Sequence, residues 1–454
     1  MNFATLLYAV FLLIVVVAHW LLPRPARRYW LVVASLFFYG SWNPLYVPGF
    51  IVLILANWYL GLLAVPRPRT AVLIGVTLNL GILGFFKYTD WVLGTTARLV
   101  DRITGTLADF GPVGIVLPLA VSFVTFTMLA YIIDTARGRR PERHLGRFAL
   151  FVTFFPHLIS GPIMRGYELL PQVRHPRPFR MSHLGEALPL LVSGLLKKTV
   201  GDNLAPTVQA VISRPEAFSS GAIWIGILAF GFQIYFDFSG YTDLALGSAR
   251  LLGLRLPRNF DWPYRSLSLQ EFWRRWHMTL SRWLRDYLYI PLGGSRHGPA
   301  RTYFALAITM LLGGLWHGAG LTFVIWGAWH GAGLAANRWW RQRSAGTRMP
   351  AWAAWLMTFL FVQAGWIFFR APSVHAALGI FERAFSFQGG QSVSPVIAVA
   401  CLALVAGQWP GWTALFRRAA PAGSYRRYAT YGAVLAITVA ILPVNAVQFI
   451  YFQF

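Results

Sequence analysis

Long apolar runs recur along the whole chain, and short segments rich in proline, glycine and arginine separate them. A helix of about 20 residues crosses the hydrocarbon core of a bilayer, which is roughly 30 Å thick. The pattern therefore predicts an all-α integral membrane protein with no soluble domain and no internal repeat. The runs cover approximately residues 3–22, 30–46, 49–65, 71–86, 114–133, 186–200, 221–236, 303–316, 321–337, 352–369, 393–408 and 428–446.

The first run, residues 3–22, is expected to remain as a helix rather than to be removed as a signal peptide. No basic leader precedes this run, its apolar core is too long, and arginines instead of a small-residue cleavage site follow it.

Composition supports membrane residence, because only 12% of the 454 residues are charged and the mean hydropathy is +0.53. A soluble domain carries about 25% charged residues. The net charge of +25 would suggest nucleic-acid binding in a soluble protein. Here the arginines cluster between apolar runs, as in the cytoplasmic loops of membrane proteins, so lipids and no nucleic acid are the expected surroundings. The order of these loops predicts that both termini lie outside the cytoplasm.

Residues 148–166, FALFVTFFPHLISGPIMRG, do not fit a straight membrane-spanning helix. Two prolines and two glycines interrupt an otherwise apolar stretch. Irregular backbone at membrane depth is tolerated only where protein or a water-filled cavity satisfies its polar groups. We therefore predict a broken, re-entrant element here.

His317 lies in the apolar stretch 311–334, where an ionisable residue by default marks a functional site. Neutral imidazole accepts a proton near pH 7, as a general base must. The alternative is a histidine that only bonds a neighbouring helix. On one straight helix His330 would face away from His317, so the two serve one site only if the helix breaks, and 318–322 is the expected break. The chemistry is assigned to His317, and His330 to a supporting role. Glycines that allow close packing around His317 are Gly313, Gly314, Gly318 and Gly320.

His277 lies in a segment, 271–294, in which tryptophan and leucine fall on one predicted helical face and arginines surround it. This mixture is typical of an interfacial helix at headgroup depth, which needs no catalytic part. The alternative function is a cationic lining for the phosphates of an anionic donor, since the forked guanidinium suits phosphate. Nearby carboxylates are expected to form framework ion pairs: Asp237, Asp243, Glu271 and Asp286.

The sequence contains no nucleophile elbow, no P-loop and no dinucleotide-binding fingerprint after a strand. No spacing of histidine, cysteine and acidic residues suggests a metal site, and the single cysteine, Cys401, lies in an apolar run. We therefore expect no metal and no bound cofactor.

Four long segments in a fixed order resemble the membrane-bound O-acyltransferase superfamily. They are FFPHLISGPIMR at 154–165, FDFSGYTDLALGSARLLGLRLPRNFDWPY at 236–264, EFWRRWHMTLSRWLRDYLYIPLGG at 271–294 and GGLWHGAGLTFVIWGAWHG at 313–331. The resemblance is strongest to the bacterial branch that contains the alginate O-acetyltransferase membrane component and the D-alanyl transfer protein of teichoic acids. The terminal FIYFQF, 449–454, resembles the alginate-type ending.

The resemblance implies a single membrane domain over 1–454, with its motif core at approximately 150–337. It implies about eleven transmembrane helices, with re-entrant and interfacial helices, around a funnel that narrows near His317. By motif, His317 is the family's catalytic histidine and His277 its second histidine. Residues expected to line the funnel or bind the donor are Trp273, Arg274, Arg275, Trp276, Arg282, Trp316, Asp237 and Ser239.

The resemblance also implies the reaction. An acyl group, usually acetyl, leaves a cytoplasmic thioester, either acetyl-CoA or a phosphopantetheine carrier, and crosses the inner membrane. It is used for O-acetylation of an extracytoplasmic polysaccharide such as alginate or a related exopolysaccharide. The implied partners are a separate periplasmic esterase-like acetyltransferase and a polysaccharide biosynthesis complex.

Three other hypotheses fit part of the sequence. D-alanyl transfer to teichoic acid would use the same chemistry with a carrier-protein thioester. Acylation of a lipid or protein would need a groove for a long acyl chain. A transporter or flippase would also be polytopic, but such proteins usually show repeats and paired broken helices, which this chain lacks.

Overall fold

The computed structural model describes residues 3–105, 113–159, 161–343, 349–408 and 424–443, and these are almost entirely α-helical. They contain no strand, only an isolated bridge between Phe218 and Gln391. The helices in these ranges are α1 Leu6–Leu21, α2 Arg24–Gly40, α3 Tyr46–Leu63, α4 Pro68–Thr104, α5 Val121–Ala136, α6 Leu145–Thr153, α7 Phe155–Leu158, α8 Gly166–Arg174, α9 Met181–Ser213, α10 Ser220–Leu251, α11 Leu269–Arg275, α12 Met278–Leu284, α13 Gly298–His317, α14 Leu321–Arg343, α15 Ala351–Arg370, α16 Val374–Phe385, α17 Pro395–Ala406 and α18 Tyr425–Ala440.

Four helices of the described residues are long and apolar enough to cross a membrane: α3, α4, α10 and α15. Shorter apolar helices are α1, α5 and α17. This agrees with the predicted all-α membrane architecture, while the number of about eleven crossings stays a prediction. The terminal FIYFQF, 449–454, lies outside the described residues.

The chain forms two compact units, the first of residues 1–187 with 245–257 and the second of 188–244 with 258–454. In the first unit two buried asparagines join α3 to α4. Asn79 Nδ2 donates to Asn57 Oδ1 at 2.7 Å, and Asn57 Nδ2 donates back at 3.3 Å. Paired amides of this kind satisfy each other where no water is at hand.

The segment 148–166 is broken, as its prolines and glycines predict. α6 ends at Thr153, the single turn α7 follows, and the described residues from 161 to 165 are not helical. His157 Nε2 donates to the Phe151 carbonyl at 2.9 Å, and both residues are buried. A polar group in this stretch is therefore satisfied by a hydrogen bond within the protein.

In the second unit α13 and α14 form a hairpin, because α13 ends at His317 and α14 begins at Leu321. The predicted break at 318–322 is confirmed. The two backbones touch at two glycines. A Cβ added to Gly314 would lie 2.2 Å from the Phe323 carbonyl oxygen, and one on Gly327 would lie 2.4 Å from that of Met310. Small residues are what permit such close approach of helices.

The prediction of one continuous helix over 271–294 is wrong. The segment consists of α11, a break, α12 and a short π-helical turn at Arg285–Tyr289. At the break His277 adopts a left-handed backbone with φ 40°, which is costly for a residue with a Cβ. The tryptophans predicted to face the membrane interface, Trp273, Trp276 and Trp283, are buried in the protein instead.

Asn259 explains this break, although it lies 18 residues before His277. Its backbone carbonyl accepts from Met278 N at 2.9 Å, and its side-chain Oδ1 accepts from Thr279 N at 3.1 Å. Oδ1 also accepts from the Thr279 hydroxyl at 2.8 Å. Asn259 thus caps the start of α12, and these bonds offset the strain at His277.

We expect Gly314→Ala to lower the free energy of unfolding by about 1–3 kcal/mol, because the new methyl group would force the two hairpin backbones apart. The measurement is the thermal midpoint of the purified protein in detergent, followed by tryptophan fluorescence. Gly320→Ala is the matched control, since a Cβ there meets nothing closer than 3.7 Å. Equal midpoints for the two variants would contradict the close backbone contact.

Asn259→Leu and Thr279→Val test the cap at His277 as a double-mutant cycle. Each single change removes the buried hydrogen bond between Asn259 Oδ1 and the Thr279 hydroxyl, so we expect each to destabilise by about 1–3 kcal/mol. The double variant should lose less unfolding free energy than the sum of the two single losses, and the difference, the coupling energy, should be about 0.5–3 kcal/mol. If the two changes in unfolding free energy are strictly additive, the side chains of Asn259 and Thr279 do not stabilise the break together.

Candidate active site

Three histidines and two tryptophans alternate in one row of ring contacts within the second unit. The ring centroids of His277 and Trp316 are 6.2 Å apart, and those of Trp316 and His317 are 4.9 Å apart. Trp326 follows at 5.0 Å from His317, and His330 lies 4.8 Å from Trp326. All five side chains are buried. We call this arrangement the ring row.

The hairpin explains why His317 and His330 belong to one row. His317 is the last residue of α13, and His330 lies in the middle of α14, so the chain reverses between them. Trp326 then contacts both rings. Phe369 of α15 closes another side of His317, with 5.2 Å between the ring centroids. His317 is 5% exposed, so its imidazole lies in a nearly water-free setting.

The hydrogen bonds of Asn259 fix the tautomer of neutral His277. Asn259 Oδ1 accepts the backbone N–H of Thr279, so it is an acceptor, and His277 Nδ1 at 3.1 Å must donate to it. The Nδ1 atom therefore carries the proton of the neutral ring, and Nε2 carries the lone pair. His277 is thus oriented as a hydrogen-bond acceptor or base through Nε2.

His330 is fully buried among aromatic rings. Trp273 contacts it at 5.2 Å and Phe361 at 5.9 Å, and Phe272 stacks at 6.2 Å between centroids. Neither ring nitrogen has a hydrogen-bond partner within the ranges that the structure describes. Buried polar atoms are normally paired with protein, water or ligand. His330 therefore has hydrogen-bonding capacity to offer a bound molecule or water, beyond its packing role.

A cavity of about 770 Å³ lies beside the ring row, and five arginines line it. Its size is that of a small-molecule site. No aspartate or glutamate is among the described residues that line it, although Asp286 pairs with Arg285 at 2.7 Å from one side. Guanidinium groups bind phosphate oxygens in forked, charge-assisted pairs. We call this the arginine cavity, after Arg274, Arg282, Arg285, Arg338 and Arg341.

The arginine cavity has a charged, exposed mouth and an apolar, buried floor. Arg274, Arg285 and Arg341 are exposed at the mouth, whereas Trp273 and Met310 at the floor are buried. Trp273 joins the cavity to the ring row, since its ring contacts both His330 and, at 5.8 Å, Trp326. The shape suits a ligand with an anionic head and an apolar end.

Only some of the residues predicted to bind the donor line this cavity. Trp273, Arg274 and Arg282 do. Arg275, the neighbour of Arg274, instead forms ion pairs with Glu271 at 2.9 Å and Asp261 at 3.1 Å. These two carboxylates compensate the charge of Arg275 and occupy its N–H donors, so it is poorly placed to bind a phosphate.

Four further residues predicted as funnel-lining do not line the arginine cavity. Trp316 lies in the ring row, and Trp276 packs on Trp366 with 4.9 Å between centroids. Asp237 pairs with Lys198 at 2.9 Å, and Ser239, two residues further along α10, is buried.

Two ion pairs join α9 to α10 in the second unit: the buried pair of Lys198 with Asp237 and the half-buried pair of Lys197 with Asp243, the latter at 2.5 Å. Lys198 also binds Asp202 within α9. The acidic residues of this region therefore have the framework surroundings that the sequence predicts, because paired charges cost less to bury.

Four residues at the site were not predicted from the sequence: Asn259, Trp326, Arg338 and Arg341. Asn259 and Trp326 lie within motifs that the sequence displays, but no local pattern marks either as a partner of a histidine. Arg338 and Arg341 appeared only as part of a basic loop, a signal of membrane topology. They line the cavity because α14, which carries them, packs against α11.

Comparisons with known proteins identify the family of the chain. The model of the MBOAT, membrane-bound O-acyltransferase family matches residues 143–374, which include the whole ring row. The peptidoglycan O-acetyltransferase of Helicobacter pylori is 37% identical over 397 residues, covering 80% of this chain and 74% of that protein. The probable alginate O-acetylase AlgI of Pseudomonas aeruginosa is 40% identical over 373 residues, covering 80% of this chain and 70% of that protein.

A more distant relative is the teichoic acid D-alanyltransferase of Streptococcus thermophilus, which is 33% identical over 223 residues. That match covers 44% of this chain and 52% of that protein. These matches decide against the transporter hypothesis and support a multi-pass membrane enzyme that transfers acyl groups. The chain belongs to the membrane-bound O-acyltransferase family.

Proposed function

We propose that this acyltransferase moves an acetyl group from a cytoplasmic thioester to an extracytoplasmic polysaccharide of the cell envelope, with His317 as general base. The observation that carries the proposal is the arginine cavity, whose floor residue Trp273 contacts the same row of rings that holds His317. Donor recognition and proton transfer can thus take place side by side.

The donor follows from the chemistry of the arginine cavity. Acetyl-CoA and acyl carrier proteins share a 4′-phosphopantetheine arm, which has a phosphate at one end and the thioester at the other. The phosphate suits the arginine mouth and the acyl group suits the apolar floor. Arg338 and Arg341 belong to a basic cluster that the positive-inside rule assigns to the cytoplasm. The mouth therefore opens toward a cytoplasmic donor, in an inner-membrane protein with both termini outside.

The reaction needs one proton transfer at the acceptor. As a hydroxyl oxygen of the acceptor attacks the thioester carbonyl, neutral His317 takes the hydroxyl proton. The C–O ester bond forms, the C–S bond breaks, and the proton passes to the leaving thiolate. Trp316 and Trp326 flank His317 and keep bulk water from the thioester, which limits hydrolysis. This direct transfer requires no acyl-enzyme. The second candidate base is His277, whose Nε2 carries the lone pair of the neutral ring.

The acceptor is assigned by analogy to relatives. Two of them are named for acetylating peptidoglycan and alginate, both polysaccharides outside the cytoplasm. A separate periplasmic esterase-like acetyltransferase and a polysaccharide biosynthesis complex are the proposed partners. D-alanyl transfer from a carrier-protein thioester is the second candidate, because teichoic acid D-alanyltransferases match a shorter part of the chain.

We expect His317→Ala to reduce polysaccharide acetylation by about 100- to 10,000-fold, the usual contribution of a general base. The measurement is ester-linked acetate on envelope polysaccharide in cells that carry the variant, with its abundance in the membrane checked. His19→Ala is the matched control, since His19 is equally buried at 5% exposure but lies in the first unit. Acetylation that persists at normal abundance of the His317 variant would exclude this residue as the base.

We expect Arg274→Gln to weaken binding of coenzyme A by about 10-fold or more, because a charge-assisted hydrogen bond contributes about 1.5–3 kcal/mol. Arg275→Gln should bind as the wild type does, since Arg275 is held by Glu271 and Asp261 away from the cavity. Calorimetric titration of the purified protein at low and high salt compares the two neighbours. An equal loss in both variants would show that the arginine cavity does not bind the donor phosphates.

A further inference from the structure

Trp273 lies between the arginine cavity and two members of the ring row, His330 and Trp326. One side of the indole lines the cavity floor, and the ring also contacts His330 at 5.2 Å and Trp326 at 5.8 Å. Only 9% of the residue is exposed. The indole therefore forms part of the cavity boundary on the side of His330 and Trp326.

At Met310 the floor is backed by main chain. Met310, Thr309 and Leu284 line the cavity and are buried. Behind Met310 the α14 backbone is in direct contact, since a Cβ on Gly327 would lie 2.4 Å from the Met310 carbonyl oxygen. A closely packed helix pair has no room to yield. The contacts of Trp273 with His330 and Trp326, by contrast, are contacts between side chains.

We propose that Trp273 is a specificity-determining residue that limits the acyl chain to about the length of an acetyl group. The inference rests on the proposed function, namely that the arginine cavity holds the phosphopantetheine arm of a thioester. With the phosphate at the mouth, the acyl end reaches the floor and meets the indole. A longer chain would have to displace Trp273 from its contacts with Trp326 and His330, which disfavours binding.

The test measures binding of thioether analogues that cannot be cleaved. The probes are the 2-oxopropyl, 2-oxopentyl and 2-oxoheptyl thioethers of 4′-phosphopantetheine, which imitate acetyl, butyryl and hexanoyl donors. They are titrated against the purified full-length protein in nanodiscs and against Trp273→Phe, Trp273→Leu and Trp273→Ala. The graded series keeps the test informative if the alanine variant fails to fold.

For the wild type we expect affinity to fall at least 10-fold from the acetyl to the hexanoyl analogue. In the variants the order should reverse, with about fourfold tighter binding for each methylene that the enlarged floor buries. The longest chain that is bound should increase from Phe to Leu to Ala. Trp283→Ala is the matched control, because Trp283 is buried against Tyr287 and does not line the cavity, and it should keep the wild-type profile.

Two outcomes would overturn the inference in different ways. If the Trp273 variants bind all three analogues with the wild-type profile, Trp273 does not limit the chain, although the donor site stands. If neither the wild type nor any variant binds any analogue, the donor site assigned to the arginine cavity is itself wrong.

Discussion

The contact between the backbones of α13 and α14 determines the geometry of the site. Helices separated by ordinary side chains lie 8–10 Å apart, whereas glycines at 314 and 327 let these two meet at the main chain. The hairpin places Trp326 between the end of α13, which carries His317, and the middle of α14, which carries His330. The same contact fixes the position of Met310 at the floor of the arginine cavity. The proposed base and the proposed donor cavity thus share one support.

The two kinds of charged group in the second unit have different surroundings. Where α9 meets α10, two lysines pair with three aspartates, so each positive charge is compensated. Around the arginine cavity the described lining contains five cations and no carboxylate. A surplus of one sign in a concave site attracts and orients ligands of the opposite sign. The second unit therefore has compensated charges in its framework and a cationic surplus at the proposed donor site.

Local sequence patterns predict much of the fold but less of the site. The all-α membrane class, the broken segment at 148–166 and the hairpin break after His317 all follow from hydropathy and from proline and glycine. The left-handed turn at His277 does not, because Asn259, 18 residues away, stabilises it against the helical periodicity of its own segment. Likewise the contact of Trp273 with His330 joins two helices that are distant in sequence. Such long-range contacts leave no periodic signal in a single sequence.

Alternation of indole and imidazole in the ring row has a consequence for how protons travel. An indole N–H donates a hydrogen bond but has no lone pair with which to accept one. Trp316 and Trp326 therefore cannot pass a proton along the ring row from one histidine to the next. If His317 is the base, as proposed, an acceptor hydroxyl would have to approach that imidazole directly to lose its proton. The indoles on either side offer it no indirect route through the ring row.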